Sequence, residues 1–227
     1  MTKLNTHGYK WISISAFGNY LYGVNLWDNR IMTYDLRNGV MSARQTGAYE
    51  LTVCNDQSGN THTYWTNNGG VLHIDNNYWK AGFVYQILCH KGNMIYNYQT
   101  YIYIEGRGNV KEVRAKRVAI DSQRKYCYTR LDYTVWCERW ADREIPGVFG
   151  DIAFGGDDET LYGVDGSGFI RKYIPLLNDW VELDGQYGKK FAKIACDDNG
   201  NLFASTEDNL LYKYTPSDTP ITTPESV

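Results

Sequence analysis

The 227-residue chain has little of several features that identify common protein classes. It has only five prolines, and no Pro/Ser-rich linker divides it, so a single domain is expected. No apolar run approaches the ~20 residues that span a bilayer, and the segment from Met1 to His7 has no apolar signal core. We therefore expect no membrane insertion and, by default, a cytoplasmic location. Secretion by another route, or with a signal already removed, stays open.

Charge and catalytic motifs are equally sparse. A formal net charge of -3 and a pI near 5.8 give no general reason for a nucleic-acid partner, because phosphate binding needs a basic face. One basic stretch, Arg107 to Arg117, is interpreted as a solvated strand face. The chain has no G-x-S-x-G elbow, P-loop, H-E-x-x-H or dinucleotide fingerprint. We predict no cofactor, no metal site and no catalytic residue.

The five cysteines must leave at least one thiol unpaired. Cys54, Cys89 and Cys196 each end the first apolar run of a different sequence unit, and this placement in separate units predicts that they form no disulfides with one another. Cys127 and Cys137 lie on opposite sides of a short hairpin turn and could face each other. In a reducing compartment these two would remain thiols, so their bonding stays open.

What the chain does contain is a repeated phrase. Leu21-Tyr22-Gly23-Val24-Asn25 returns as Leu161-Tyr162-Gly163-Val164-Asp165, and a looser copy begins at Leu202. An apolar run precedes each copy and a second run ending in an aromatic follows it, so each unit predicts at least three strands. Internal repetition at a spacing of tens of residues indicates a repeat architecture.

Three degraded copies fill residues 40 to 140. The equivalent points are taken as Leu21, Thr61, Met94, Tyr126, Leu161 and Leu202. The gaps between them are 40, 33, 32, 35 and 41 residues, a spacing typical of propeller blades. Tyrosines and tryptophans are abundant, 20 and 7 in number, and residues 96 to 104 alternate with the period of two that a strand requires. The sequence predicts an all-β, six-bladed β-propeller with four-stranded blades of about 36 residues.

Ring closure follows from the last unit, which has no outer strand of its own. We expect the N-terminal segment near Tyr9 to Trp11 to complete that blade, which would protect the exposed strand edges. Outer strands of other units are predicted around Val110 to Arg114, Trp140 to Ile145 and Asp179 to Leu183. Residues 1–218 then form one propeller domain, and residues 219–227 are expected to be disordered.

The Tyr-Gly-Val-Asn/Asp phrase, together with Trp-led strands such as Trp180-Val181-Glu182-Leu183, resembles the tectonin repeat of β-propeller lectins, including the fish-egg lectins. The passage from Asp179 to Phe203 is also similar to the tachylectins. The resemblance covers residues 11 to 35 and 140 to 214, and the middle units replace the phrase. It implies recognition of surface glycans through several weak sites, fewer in number than the blades, that act together by avidity.

A sugar site needs an exposed aromatic plane beside hydrogen-bonding groups. Loops rich in Asn, Asp and Trp supply this combination. The predicted ligand-binding residues are Trp27, Asp28, Asn29, Asn77, Tyr78, Trp79, Trp140, Asp179 and Trp180. Trp27 and Trp79 are the strongest candidates, since each lies in a predicted polar turn, whereas Trp140 and Trp180, at equivalent repeat positions, are interpreted in the first place as core residues between blades.

Two other functions stay open. One is a protein-interaction scaffold, in which exposed Tyr and Trp bind another protein. The other is an enzyme with a single pocket at the central channel, for which the candidate residues are Glu50, His62, Tyr64, His90 and Tyr98. Recurring aromatics at equivalent positions would favour a lectin, one cluster of perturbed ionisable groups an enzyme, and a broad apolar patch a scaffold.

Overall fold

A computed structural model describes residues 1–5, 9–56, 58–75, 77–80, 83–155, 160–183, 186, 188–197, 199–208 and 210–214. The predicted disordered tail, residues 219–227, lies outside the described residues. Among the described residues, no helix is long and apolar enough to cross a bilayer.

The described chain forms strands and one short 3-10 helix, Glu138–Trp140. The strands of the first half are β1 (Thr2–Leu4), β2 (Trp11–Phe17), β3 (Tyr20–Asn25), β4 (Ile31–Asp35), β5 (Met41–Ala43), β6 (Ala48–Asn55), β7 (Thr61–Asn67), β8 (Leu72–Ile74), β9 (Asn77–Lys80), β10 (Val84–His90), β11 (Asn93–Tyr98) and β12 (Tyr101–Ile104). Those of the second half are β13 (Gly108–Glu112), β14 (Arg117–Ile120), β15 (Tyr126–Thr129), β16 (Thr134–Cys137), β17 (Arg143–Gly155), β18 (Thr160–Asp165), β19 (Ile170–Ile174), β20 (Asp179–Glu182), β21 (Phe191–Cys196), β22 (Leu202–Thr206) and β23 (Leu211–Tyr214).

The strands form antiparallel sheets arranged around a central channel. Four sheets have four strands, in the orders β2-β3-β4-β5, β6-β7-β8-β9, β10-β11-β12-β13 and β1-β23-β22-β21. A fifth, seven-stranded sheet runs from β14 to β20 in chain order. The strands next to the channel are β2, β6, β10, β14, β17 and β21, and they contact one another in this order, with β21 returning to β2. This closed ring of sheets is a β-propeller, as predicted.

The prediction of six separate four-stranded blades is wrong, because only four sheets of the described chain have that form. The reason is β17, a strand of 13 residues. Its first part pairs with β16 as the outer strand of one repeat unit, and its second part pairs with β18 as the inner strand of the next. No turn separates the two parts, so the fourth and fifth units share one continuous sheet.

The N-terminal segment does complete the last sheet, but not with the residues we expected. Thr2–Leu4 pairs with β23, whereas Trp11 begins the inner strand β2 and residues 9 and 10 precede it. Trp11 is needed inside, where it packs with Ile14 and Leu21 in a buried cluster. The free edge of β23 is satisfied instead by a short, mostly polar strand whose side chains can face solvent.

The glycine of the repeated phrase is explained by an aromatic ring of the inner strand. A Cβ on Gly23 would lie 2.1 Å from the ring of Trp11, and one on Gly163 would lie 2.5 Å from the ring of Phe149. In both units the inner-strand aromatic occupies the space that the glycine leaves. The phrase is therefore a packing requirement of the blades.

In the three middle units the large and the small residue exchange places, so the total side-chain volume at this position is conserved. Where the phrase is lost, large residues replace the glycine on the second strand and small ones replace the inner-strand aromatic. The pairs are Trp65 with Ala48, Tyr96 with Val84, and Tyr128 with Ala115, each pair within one buried cluster. Volume-conserving exchanges are tolerated in cores. The weak sequence repeat from residues 40 to 140 thus hides a preserved packing unit.

The cysteine prediction is corrected at one pair. Cys54 and Cys89 form a disulfide with a Cα–Cα distance of 5.9 Å. They belong to different units, but the inner strands β6 and β10 are adjacent around the channel. Cys127 and Cys137, directly paired on β15 and β16, form the second disulfide, and Cys196 is free.

His62 on β7 and His73 on the adjacent strand β8 have separate partners. His62 lies between two carboxylates, with Nδ1 2.9 Å from Asp75 and Nε2 3.3 Å from Asp56, while the His73 ring stacks on Trp65 at 4.0 Å between centroids. The hydrogen bond with Asp75, supported by Asp56 and opposed by desolvation, raises the pKa of His62. Burial lowers the pKa of His73.

These opposite shifts predict opposite pH dependences. The charged form of His62 is favoured by folding, so its contribution is full below the unfolded pKa of about 6.5 and is lost as pH rises through the folded value. We expect His62→Gln to lower the free energy of unfolding by up to about 1 kcal/mol at pH 5.5 and by less at pH 8.5. Urea unfolding at both pH values measures this. An equal loss at both would contradict the prediction, and His73→Gln, the control, should not show the greater loss at low pH.

Candidate functional site

The most distinctive site is the channel and the end of it at which the inner strands begin, which we call the mouth. One residue from each inner strand points into the channel just below this end. These channel-layer residues are Ser13, Glu50, Gln86, Arg117, Asp151 and Lys193. On five of the six inner strands, the channel-layer residue comes directly after a one-residue shift in the pairing with the second strand. This shared position places these residues at the same height in the channel.

An ion-pair cluster crosses the channel layer. Arg117 donates from Nη1 to Glu50 at 2.8 Å, and its Nε lies 3.5 Å from Asp151. Asp151 also accepts a hydrogen bond from the backbone N–H of Ile194 at 3.0 Å. Burial raises the pKa of Asp151 to about 6, although the Arg117 guanidinium favours the charged form. The cluster joins strands on different sides of the channel.

Polar side chains also link three of the inner strands to the next one around the ring. The N–H of Val53 donates to Ser15 at 3.0 Å, that of Cys89 to Thr52 at 2.9 Å, and that of Val118 to Gln86 at 2.6 Å. The free space in the channel is about 40 Å³, enough for a few waters and far below the ~300 Å³ of a small-molecule site. The channel layer therefore holds the ring together, and a ligand must bind outside it.

Two tyrosines immediately precede channel-layer residues along their inner strands. Tyr49 and Tyr85 occupy the register shifts of β6 and β10, at the residue before Glu50 and Gln86. We call this the bulge position. An unpaired bulge residue can turn its side chain out of the ladder. The two side chains are 45% and 48% exposed, so adjacent sheets present an aromatic residue at the same place.

Exposed large hydrophobic residues are concentrated around the mouth. Eight of the fourteen large hydrophobic residues that are exposed in the described chain lie in strand starts and loops at this end. They are Leu26, Trp27, Tyr49, Phe83, Tyr85, Leu131, Tyr133 and Val148. We call this surface the mouth face. At the opposite end, turns are built by aspartates such as Asp56 and Asp121, whose carboxylates accept backbone N–H groups two and four residues ahead.

Trp27, predicted from the sequence, lies on the mouth face in the loop between β3 and β4. Its side chain is 68% exposed, and Tyr9 is its aromatic neighbour, at 6.5 Å between centroids. Asp28 accepts a hydrogen bond from the Asn25 side chain at 2.7 Å, and Asn29 has a φ of 54°. The loop is therefore ordered by its own polar groups while the indole stays open to solvent.

Asn77, Tyr78 and Trp79 lie elsewhere, on the outer strand β9. Tyr78 is exposed, and Trp79 meets the ring of Tyr96 edge-on at 6.2 Å. This places them on the outermost strand of the second sheet, at the rim of the propeller, whereas Trp27 lies in a loop of the first sheet. The structure thus divides the two strongest sequence candidates between two surfaces.

Trp180 is buried and Trp140 is half-buried, so both are less open to a ligand than Trp27. Trp180 is 8% exposed, lies 3.9 Å from Phe149 between centroids, and donates from Nε1 to the carbonyl of residue 146. Trp140 packs on Tyr173 at 4.6 Å. Trp180 belongs to the core of the seven-stranded sheet, and Trp140 packs against that core. Asp179 is exposed, but its carboxylate accepts the N–H of Trp180.

The enzyme candidates are not brought together. Glu50 and His90 both line the channel but at opposite ends of their inner strands, and His62 lies on β7 beside two aspartates. Tyr64 is buried, and Tyr98 lies on the second strand of its sheet. No group of three or more His, Cys, Asp or Glu suited to a metal ion occurs in the residues that the structure describes.

Sequence reasoning missed Tyr49, Tyr85 and Arg117. A signal for the tyrosines was present, since Tyr49-Glu50 and Tyr85-Gln86 place an aromatic before a polar residue at the start of an inner strand. The repeat units were compared at their second strands, and in that comparison the two tyrosines do not stand out as equivalent. The signal appears only when the inner strands are aligned on their register shifts.

Comparison with known proteins supports the fold alone. No protein-family model and no curated protein matches the chain. Among solved structures, it is similar to the β-propeller domain of Myceliophteria thermophila Cps50 (Swd1), with a TM-score of 0.65 and 9% identity over 95% of this chain and 99% of that one. It is also similar to the WD40 β-propeller domain of Doa1, with a TM-score of 0.61 and 12% identity over 96% of each chain. A third similar structure is virginiamycin B lyase from Staphylococcus aureus, with a TM-score of 0.54 and 12% identity over 95% of this chain and 87% of that one. At these identities the similarity shows that the chain has a β-propeller fold.

Proposed function

We propose that this chain is a glycan-binding protein that takes saccharides on its mouth face. The observation that carries the proposal is the recurrence of an exposed tyrosine, Tyr49 and Tyr85, at the bulge position of adjacent sheets. A pyranose offers a C–H face that packs on an aromatic ring and hydroxyl groups that need polar partners. Trp27 adds a third exposed ring on the same face.

Several weak sites on one rigid ring would act together. Engaging a second site turns a bimolecular event into an intramolecular one, which raises the overall affinity without new contacts. We propose that the seven-stranded sheet serves as two blades sharing β17, so that a ligand meets six units around the channel. The similarity of the repeat to tectonin-type lectins supports this function.

The two disulfides favour an oxidising compartment, such as the outside of a cell, over the cytoplasm expected from the sequence. Surface glycans are found in the same setting. The location is therefore part of the proposal.

A second candidate is a protein-interaction scaffold, favoured by the breadth of the apolar mouth face. Exposed Tyr and Trp are common anchors of protein interfaces. A catalytic pocket in the channel is disfavoured, because about 40 Å³ holds no organic substrate and the polar groups there are engaged with one another.

The test is a glycan-array screen followed by titration of the best ligand. Replacing both tyrosines, Tyr49→Ala with Tyr85→Ala, should weaken binding about tenfold or more, since each aromatic contact contributes on the order of 1 kcal/mol. Leu176→Ala with Leu177→Ala, at exposed positions in the loop between β19 and β20, should leave the affinity unchanged.

Two outcomes would count against this proposal. A folded protein that binds no glycan removes the lectin function and leaves the scaffold. Binding that survives the tyrosine pair but is lost in Trp79→Ala would move the site from the mouth face to the rim.

A further inference from the structure

Basic residues recur around the mouth. We align the inner strands on their register with the second strand of each unit, and we call the residue directly before the start of the aligned strand the lead position. The six lead residues are Lys10, Gly47, Phe83, Arg114, Val148 and Lys190. The bulge position is Ile12, Tyr49, Tyr85, Lys116, Gly150 or Ala192. Four of these twelve residues are basic and none is acidic. The chain as a whole has an excess of acidic residues, 26 against 23. Loops at the same end also carry carboxylates, and Glu207 and Asp208 line one pocket with Lys190.

Arg114 and Lys116 are held next to an exposed tyrosine. The Asn97 side chain accepts a hydrogen bond from the N–H of Gln86 at 2.5 Å and donates one to the carbonyl of Ala115 at 2.9 Å. It therefore ties the residue after Tyr85 to the residue between the two cations. Because Asn97 is buried, this link fixes the basic segment beside the aromatic position.

The basic stretch that the sequence analysis assigned to a solvated strand face has two different halves. On and near the outer strand β13, Arg107 pairs with Glu138 and Lys111 with Asp142, each at 2.8 Å. At the mouth, Arg114 is exposed and has no ion pair with any residue that the structure describes. The outer half is neutralised within the protein, whereas the mouth half has charge available for a ligand.

Lys116 is placed on an aromatic ring of the same face. Its ammonium group lies 3.5 Å from the centroid of Tyr133 and donates to the Tyr133 hydroxyl. No carboxylate pairs with Lys116 among the described residues. Its partner in the structure is therefore an aromatic ring and hydroxyl of the mouth face.

We propose that the mouth face binds acidic saccharides, with the aromatic rings taking the sugar faces and Arg114 and Lys116 taking the carboxylate or sulfate groups. This rests on the proposed function, since it names the ligand class of the same face. Arg binds carboxylate and sulfate oxygens through two parallel hydrogen bonds, and such charge-assisted bonds are roughly twice as strong as neutral ones. Exposed charges are screened, so the preference must weaken as salt is added.

The experiment compares three hexasaccharides by isothermal titration at 20 and 300 mM NaCl. They are an oligogalacturonate for carboxylate, a heparin-derived hexamer for sulfate, and maltohexaose as the neutral comparator. The variant is Arg114→Gln with Lys116→Gln. Its matched control is Lys3→Gln with Lys125→Gln, which also removes two positive charges, at exposed positions on other surfaces.

We expect at least one acidic hexamer to bind tenfold or more tightly than maltohexaose at low salt, with the difference reduced at 300 mM. The variant Arg114→Gln with Lys116→Gln should lose this tenfold preference in affinity, and the control variant should keep it. The stronger of the two acidic hexamers identifies carboxylate or sulfate as the recognised group.

The alternatives are distinguishable. If maltohexaose binds as well as the acidic hexamers and only Tyr49→Ala with Tyr85→Ala weakens it, the acidic preference is overturned and glycan binding stands. If no hexamer and no array glycan binds, both proposals fail. If a single-stranded oligonucleotide or an acidic peptide binds more tightly than every saccharide through Arg114 and Lys116, the saccharide assignment is overturned.

Discussion

Replacing Arg117 by methionine should lower the free energy of unfolding by about 3–5 kcal/mol, the cost of leaving buried charges without their partner. Arg117 is the cation between Glu50 and Asp151, and these two carboxylate side chains are each only 7% exposed. Methionine fills much of the space of arginine, so the loss reports charge more than volume. Denaturant unfolding at pH 8 measures it, where Asp151 is ionised.

The pH dependence of this variant separates charge from packing. Burial raises the folded pKa of Asp151 to about 6, above the unfolded value near 3.9, so protonation favours the folded state as pH falls through this range. Without Arg117 that pKa should rise further, and the destabilisation should be smaller at pH 5 than at pH 8.

Neutralising all three groups provides the control. Glu50→Gln and Asp151→Asn combined with Arg117→Met should recover most of the loss, because no unpaired charge then remains in the channel. Two results would show that the ion-pair cluster does not stabilise the ring through its charges. One is a loss of less than about 1 kcal/mol in the free energy of unfolding of Arg117→Met, and the other is a triple variant that is no more stable than Arg117→Met.

Replacing Gly163 by alanine should destabilise the protein by about 1–3 kcal/mol or more, the usual cost of overpacking a core. The new methyl group would lie 2.5 Å from the Phe149 ring. That ring cannot simply move aside, because Trp180 lies 3.9 Å from it between centroids. Thermal or denaturant unfolding of the purified variant gives the value.

Two further variants make this prediction specific. Gly166→Ala, three residues along the chain, is the matched control, since a Cβ there meets nothing within 4 Å. It should change stability by less than about 0.5 kcal/mol. Gly163→Ala combined with Phe149→Ala should be less destabilised than the sum of the two single changes, because the clash is removed. Additive losses of stability would show that the clash with Phe149 is not the cause of the destabilisation by Gly163→Ala.

Much of the architecture could be predicted from the repeat. The outer strands expected near residues 110 to 114 and 179 to 183 occur as β13 and β20, shifted by a residue or two. Alternation of polar and apolar residues reports which face of a strand is buried, and that is a local property. The closing strand was misplaced because Thr2-Lys3-Leu4 carries little such pattern, and the edge of β23 selects it.

The candidate site was less predictable. Trp27 was found because it is a large ring in a polar loop, and the structure leaves it exposed. Trp180 sits in a similar polar sequence, Asn178-Asp179-Trp180, yet it is buried against Phe149. Whether an aromatic faces solvent or a neighbouring blade depends on what the next strand places opposite it, and a single loop sequence does not contain that information.

The sequence by itself determined the repeated all-β architecture, because spacing, alternation and the Tyr-Gly phrase are set by residues close together in the chain. Only the tertiary structure decided what lies side by side around the channel. It joined Cys54 to Cys89 across adjacent inner strands, and it placed Arg117 between Glu50 and Asp151. It also gathered Tyr49, Tyr85 and Lys116 on one face by aligning the starts of the inner strands. Ring closure brings together residues tens of positions apart, and no local pattern records such contacts.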